Sequence, residues 1–363
     1  MPRLSQEDTY ICKANIMIKV FGVLNHIGNQ YEMLKLMDNY DVEFTYLENN
    51  VRRWSDASSR PMHPKLKWAT HYEPGKYDVA ILHVDQQHTD PNIGKGWLYT
   101  DLNDIIQDIP KIVINHGTPM WDEFYTEDMV INGGEIQTER GPKKLIGMKE
   151  KIGDNFMVVN SYESVDRWGW GYPLIHGLDP DEWWDMPKEP RVSVLVSPGG
   201  LSKYYNRPLI SAIKAAVYEK SGIEILHPNV NVDLSGDNWT EYRQLIGTSL
   251  ISIFPFLDSP MPRSRTEAML SGSCVLTSRH HGGDGFIENG VNGLILPDNP
   301  DSYAHAIHTL INDCYKDAIE MGQRGKETAK KIFSPEVYQK DLYHIIKEVS
   351  EGRKPIWNGE KRW

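Results

Sequence analysis

Residues 251–296 read ISIFPFLDSPMPRSRTEAMLSGSCVLTSRHHGGDGFIENGVNGLIL, and the order of apolar runs and breakers in this stretch decides the fold. The apolar run 251–256 has the length and composition of a buried strand. A polar loop broken by prolines follows, and a short helix is predicted over about 266–271. Ser264 stands three residues before Glu267, the spacing of a capping box, and Gly272 stands where a left-handed helix stop belongs. Residues 274–277 make a second apolar strand. The loop after it carries His280, His281, Gly282, Gly283 and Gly285, and the tight turn Gly290-Val291-Asn292-Gly293 leads into the run 294–296.

This arrangement suits an anion site. The N-terminus of a helix presents unpaired N–H groups and the positive end of a dipole. Arg263, Arg265 and Thr266 stand at that end, and Gly282 and Gly283 permit close backbone approach to a ligand. In an open parallel sheet such a site lies beyond the carboxyl ends of the strands.

The stretch is similar to the carboxyl-terminal domain of GT-B glycosyltransferases, in the group 1 family of retaining, glycogen-synthase-like enzymes. Glu267-Ala268-Met269-Leu270-Ser271-Gly272 and Glu288-Asn289-Gly290-Val291-Asn292-Gly293 carry the resemblance. One departure stands out. The family has a further Glu eight residues before Glu267, where this chain has Ser259 with Asp258 beside it. The resemblance implies two Rossmann-like, doubly wound α/β domains facing a central cleft. It also implies that Glu267 holds the ribose of a donor nucleotide; read by itself, Glu267 only caps its helix.

The 363 residues are enough for two domains of ordinary size. The resemblance places an acceptor domain at 1–185, a donor domain at 186–340, and a final helix and tail at 341–363 that crosses back to the first domain. A net charge of −11, from 39 basic and 50 acidic residues, gives no general attraction to nucleic acid or anionic membrane. Cys12, Cys274 and Cys314 are widely spaced and odd in number, so reduced thiols in a cytoplasmic protein are expected. No run approaches the roughly 20 apolar residues of a membrane span, and residues 1–10 lack a signal-peptide core.

Along the chain, 16–23 reads as a first strand, followed by the loop Leu24 to Gln30 with Asn25, His26 and Gly28, and a helix from about Tyr31. Strand, Gly loop and helix open a doubly wound fold. Asn25 and His26 face a cleft there or form a plain polar turn. The run 77–84 is a buried strand that ends in Asp85-Gln86-Gln87-His88, and 111–115 is another that ends in His116-Gly117. A His-Gly pair in this place resembles the family's contact to the donor sugar; otherwise His116 bonds a neighbouring carbonyl. His26, His83 and His88 rest on position alone. Residues 121–139, aromatic and acidic, suit an acceptor loop. After 191–197 come Gly199, Gly200 and Lys203, then a helix from about Arg207. Lys203 matches the family's diphosphate-gripping Lys; the usual Arg has no clear counterpart, with Arg207 as a substitute.

The reading is therefore a hexosyltransferase. The resemblance implies that it moves a sugar from a nucleotide-diphosphate sugar, a UDP-sugar in the first instance, to an acceptor hydroxyl, with retention and without a bound metal or other cofactor. His116, Asp258 and Arg263 are the expected catalytic groups. Gly28, Gly200, Lys203, Arg207, Arg265, Thr266, Glu267, His281, Gly282 and Gly283 are expected at the donor, and Asn25, His26, Asp85 and His88 at the acceptor. Glycan, small molecule, protein and hydroxymethylated DNA remain open as acceptors. A glucosyltransferase acting on phage-type DNA, a nucleotide-sugar epimerase and an inactive nucleotide-sugar-binding protein of the same fold are the alternatives.

Overall fold

The computed structural model describes residues 17–48, 54, 60–85, 88, 96–117, 142–195, 205–228, 238–256, 261–279 and 285–363. Twelve strands among them form two parallel sheets. The strands are β1 Ile18–Val23, β2 Val42–Leu47, β3 Lys67–Ala69, β4 Val79–Val84, β5 Lys111–Asn115, β6 Phe156–Val159, β7 Tyr172–Pro173, β8 Glu189–Val194, β9 Ile225–Leu226, β10 Ser249–Phe254, β11 Cys274–Ser278 and β12 Leu294–Leu296. The helices are α1 Ile27–Leu34, α2 Leu36–Asn39, α3 Trp97–Ile105, α4 Pro142–Ile152, α5 Tyr162–Trp168, α6 Arg207–Ser221, α7 Asn238–Thr248, α8 Arg263–Leu270, α9 Pro300–Asn312, α10 Tyr315–Ile332 and α11 Pro335–Ser350.

The first sheet runs β3-β2-β1-β4-β5-β6-β7 and the second β12-β11-β10-β8-β9, with every pairing parallel. Each order reverses once, between β1 and β4 and between β8 and β10. A reversal leaves a crevice at the carboxyl ends of its two strands, because the connections leave to opposite sides. The α/β, doubly wound reading of both halves is borne out. Strands covered on both faces read as continuous apolar runs, and all six residues of β4 and of β10 are buried. Three buried serines of the second half pair with one another: Ser193 with Ser252 at 3.1 Å and Ser252 with Ser273 at 2.9 Å, which satisfies their hydroxyls on burial.

Local signals explain several helix ends. Gly272 has φ +71° after α8, a conformation that costs glycine nothing. Ser334 Oγ accepts from Val337 N–H at 3.2 Å, with Pro335 in the first helical position of α11. Two expectations are corrected. The first helix begins at Ile27, four residues before Tyr31, so Gly28 lies in its first turn. The capping box at Ser264 does not form: α8 starts at Arg263 with Pro262 as cap, which places Glu267 inside the helix, where its carboxylate has other partners.

The last helix joins the two halves. Tyr338, Leu342, Ile345, Ile346 and Val349 of α11 lie in one core with Val20, Met33, Leu34, Val79 and Ile112 of the first half. Each such aliphatic side chain stabilises by about 1.5–3 kcal/mol when buried. The crossing needs Gly177, where an added Cβ would lie 2.7 Å from Pro335 Cα. The tail also returns to the first half: Trp357 and Trp363 stand 5.4 and 4.6 Å from the ring of Tyr162. No helix among the described residues is long and apolar enough to cross a membrane.

Candidate active site

Three groups of side chains meet where the two crevices face one another. The first is built on the carboxyl ends of β1, β4 and β5. His26 caps α1 with extended backbone and no side-chain cap bond. Gln30, fully buried one turn later, is tied to the loop before it: Asn25 N–H donates to Gln30 Oε1 at 3.1 Å and Gln30 Nε2 donates to Val23 O at 2.5 Å. The same Nε2 lies 3.4 Å from His83 Nε2, and His83 Nδ1 lies 2.9 Å from His116 Nε2. The ring of His26 meets that of His116 edge-on at 4.5 Å. Burial, with His26 and His88 adding to it, pushes the His83 imidazole down to about 3, so it is neutral. His88 folds back on Asp85, its Nδ1 3.0 Å from both the N–H and Oδ1 of that residue.

The second group belongs to the N-termini of α6 and α8, which follow β8 and β10. Asn206 precedes α6 with φ +50° and is fully buried, and neither its Oδ1 nor its Nδ2 has a hydrogen-bond partner. Nε and Nη2 of Arg207 are shielded from solvent and also unpartnered. Tyr205, just before them, has its hydroxyl pKa raised by burial and then by Asp85 of the first-half cluster. Arg263 opens α8 and crosses to the first half: Nη2 donates to Asn29 Oδ1 at 3.3 Å, and its Cδ would lie 3.2 Å from a Cβ at position 28. Gly28 is thus the residue that lets the starts of α1 and α8 approach. Nη1 of Arg263 is shielded and unpartnered, and burial lowers the pKa of this guanidinium against the pull of Glu32 and Glu267.

The third group surrounds Glu267. Its Oε1 accepts from Arg60 Nη2 at 2.5 Å and its Oε2 from Tyr242 OH at 2.5 Å. Arg60 lies beneath the rings of Trp183, Trp239 and Tyr242, at 5.0, 4.6 and 5.0 Å from their centroids. Glu182 stands nearby and accepts from Tyr31 OH at 2.6 Å and Lys35 Nζ at 2.8 Å.

Of the residues expected from sequence, Asn25, His26, Gly28, Asp85, His88 and His116 gather at the first crevice, and Arg207 and Arg263 at the second. Arg265 and Thr266 do not share their surroundings. Arg265 is fully buried over the ring of Phe286 at 5.1 Å, with Nη1 3.5 Å from Thr277 Oγ1, and Thr266 Oγ1 is taken by His176 Nε2 at 3.2 Å. Asp258, Gly200, Lys203, His281, Gly282, Gly283 and the stretch 121–139 lie outside the described residues. Sequence reasoning missed Asn206, Gln30 and Arg60. Asn206 had a signal, an Asn-Arg-Pro start before an amphipathic run; Arg60 had none. Chemically, the two helix starts with Asn206, Arg207 and Arg263 offer inward-facing donors to an anion, and the histidine cluster offers ring nitrogens across from them.

Known proteins bear on this geometry. Residues 215–330 match the model of the family described as Glycosyl transferases group 1, so the group 1 resemblance is borne out over those residues. The solved structure of HepE from Anabaena in complex with UDP and glucose superposes with a TM-score of 0.62 at 12% identity, over 91% of this chain and 99% of that one. Sucrose-phosphate synthase from Thermosynechococcus elongatus gives 0.62 at 11% identity, over 92% and 100%. TarM of S. aureus gives 0.54 at 14%, over 74% of this chain and 55% of its own. No curated protein matches in sequence. The chain has the GT-B fold.

Proposed function

We propose that this chain is a glycosyltransferase that moves a sugar from a nucleotide-diphosphate sugar to an acceptor hydroxyl. One observation carries the reading. The starts of α6 and α8 face the histidine cluster of the other half, and they bring buried, unpartnered donors on Asn206, Arg207 and Arg263. Burying a polar group without a partner costs about 1–3 kcal/mol, and a pyrophosphate at the two helix starts satisfies all of them at once. Preorganised donors of this kind also stabilise charge on a leaving diphosphate. Lys203 is the further cation proposed for this grip.

The bound UDP-glucose of the HepE structure supports a UDP-sugar as donor. Glu267 is proposed to take the ribose with the lone pairs that Arg60 and Tyr242 leave, since a carboxylate offers about four. His116 is proposed at the sugar, Asp258 beside it, and Asn25, His26, Asp85 and His88 at the acceptor. Retention of configuration and independence from a bound metal are part of the proposal. So are the domain division at 185/186 and a cytoplasmic setting, which suits the free thiols of Cys274 and Cys314.

A thermal-shift screen against UDP, GDP and ADP sugars tests it, because a ligand of the folded state raises apparent stability. UDP-sugars are expected to stabilise most, and release of UDP is expected to rise when acceptor is added. No shift with any nucleotide diphosphate overturns the reading.

A further inference from the structure

We infer that Gln30 and His83 are positioning residues that lock His116 in a single tautomer, with its proton on Nδ1 and its Nε2 lone pair occupied. This deepens the proposed role of His116 and rests on that reading for its use in catalysis; the tautomer itself follows from hydrogen bonding alone.

Two backbone groups beside Gln30 cannot change roles. Asn25 N–H only donates and Val23 C=O only accepts, and they face Oε1 and Nε2 of Gln30 at 3.1 and 2.5 Å. Turning the amide over would set donor against donor and acceptor against acceptor, so its orientation is fixed. The second N–H of the same amide group meets His83 Nε2 at 3.4 Å. An amide NH₂ has nothing to accept with, so His83 Nε2 accepts. A neutral imidazole has one N–H and one lone pair, and His83, 5% exposed, is neutral. Its proton is therefore on Nδ1, which donates to His116 Nε2 at 2.9 Å. His116 in turn keeps its proton on Nδ1.

The consequence is chemical. With Nε2 filled, His116 carries its one N–H on Nδ1 and does not abstract a proton through Nε2. A proton placed on His116 Nε2 would oppose the N–H of His83, and His83 could yield only by setting its own Nε2–H against the Gln30 amide. Among the described residues, His26 stands edge-on to His116, and His88 together with His26 acts on His83.

Histidine-selective ¹⁵N labelling with long-range ¹H–¹⁵N NMR tests this on the whole chain without ligand, the His116 signals being assigned by loss in His116→Gln. A protonated-type Nδ1 and an unprotonated-type Nε2 are expected. His83→Asn puts an amide N–H where Nδ1 stood and preserves the pattern. His83→Leu releases His116 into a tautomer mixture, and Gln30→Glu, a near-isosteric change, reverses both rings. Where turnover is measured, His83→Leu lowers kcat about tenfold with little change in donor KM, and His83→Asn restores it. His116 found with its proton on Nε2 in the unaltered protein, or a pattern unmoved by both His83→Leu and Gln30→Glu, overturns the inference. A normal tautomer with no effect of His116→Gln on donor binding or turnover would instead count against the catalytic role alone.

Discussion

Arg60 reaches Glu267 across the divide between the two sheets, with Nη2 2.5 Å from Oε1 and both side chains at or below 5% exposure. Arg60 stands between β2 and β3 of the first half, and Glu267 lies in α8 of the second. Burial works against the guanidinium charge, but Glu267 and Tyr242 more than offset it, and the pKa of Arg60 is raised. The same burial, followed by Glu267, raises the Tyr242 hydroxyl, which stays protonated and donates.

Breaking this pair strands a buried charge. Arg60→Ala is expected to lower unfolding stability by about 3–5 kcal/mol. The double variant Arg60→Ala/Glu267→Ala loses clearly less than the sum of the two single changes, because no orphan charge remains. Urea unfolding checks this; additive losses would show that the two residues do not act as a pair.

Arg263 differs because its Nη1 has no partner to lose. Arg263→Ala is expected to weaken donor binding by roughly 10- to 100-fold, the worth of one or two charged hydrogen bonds, while the melting temperature falls little. Arg263→Lys does not restore binding, since an ammonium lacks the planar fork. Calorimetric titration with UDP decides it, and equal affinity in all three proteins would remove Arg263 from the site.

Asn206 separates stability from binding. At φ +50°, Asn206→Ala costs about 1–2 kcal/mol in backbone strain, whereas Asn206→Gly costs little or none. Both variants delete the unpartnered amide, so both should lose donor affinity. If Asn206→Gly binds UDP as the unaltered protein does, the amide is not a ligand group.

Acid sensitivity follows from His83 and His176. His83 is pushed down to about 3, and His176 well below its ordinary range by burial and then by Arg263 and Arg265. Unfolded, each takes a proton near pH 6.5. Between about pH 6.5 and 3 the unfolded chain holds the extra proton of His83, so stability is lost as pH falls, by about 1.4 kcal/mol per pH unit, and His176 acts in the same sense. Glu32, raised by burial, acts in the opposite sense. His83→Leu should flatten the acid limb by one proton's worth in urea midpoints taken across this range, and an unchanged slope would contradict the neutral assignment.

Features that neighbours along the chain encode could be read from the residues alone. Largely apolar runs made β4 and β10, the latter beginning at Ser249, two residues before the run 251–256; Gly272 stopped α8, Ser334 capped α11, and Asn289-Gly290-Val291-Asn292-Gly293 turned the chain into β12. His116 and Arg263 were legible because strand ends and helix starts are themselves local features. Which side chains they meet depends on how the whole chain packs. Ser264 and Glu267 have capping-box spacing, yet Glu267 instead binds Arg60, 207 residues away in sequence, and Tyr242, 25 away. Gln30 and His83 lie 53 residues apart and become neighbours because the sheet sets β4 directly beside β1. A buried charge takes whatever partner the crossing of two domains supplies, and that crossing is fixed by packing over the whole chain, which no stretch of residues contains.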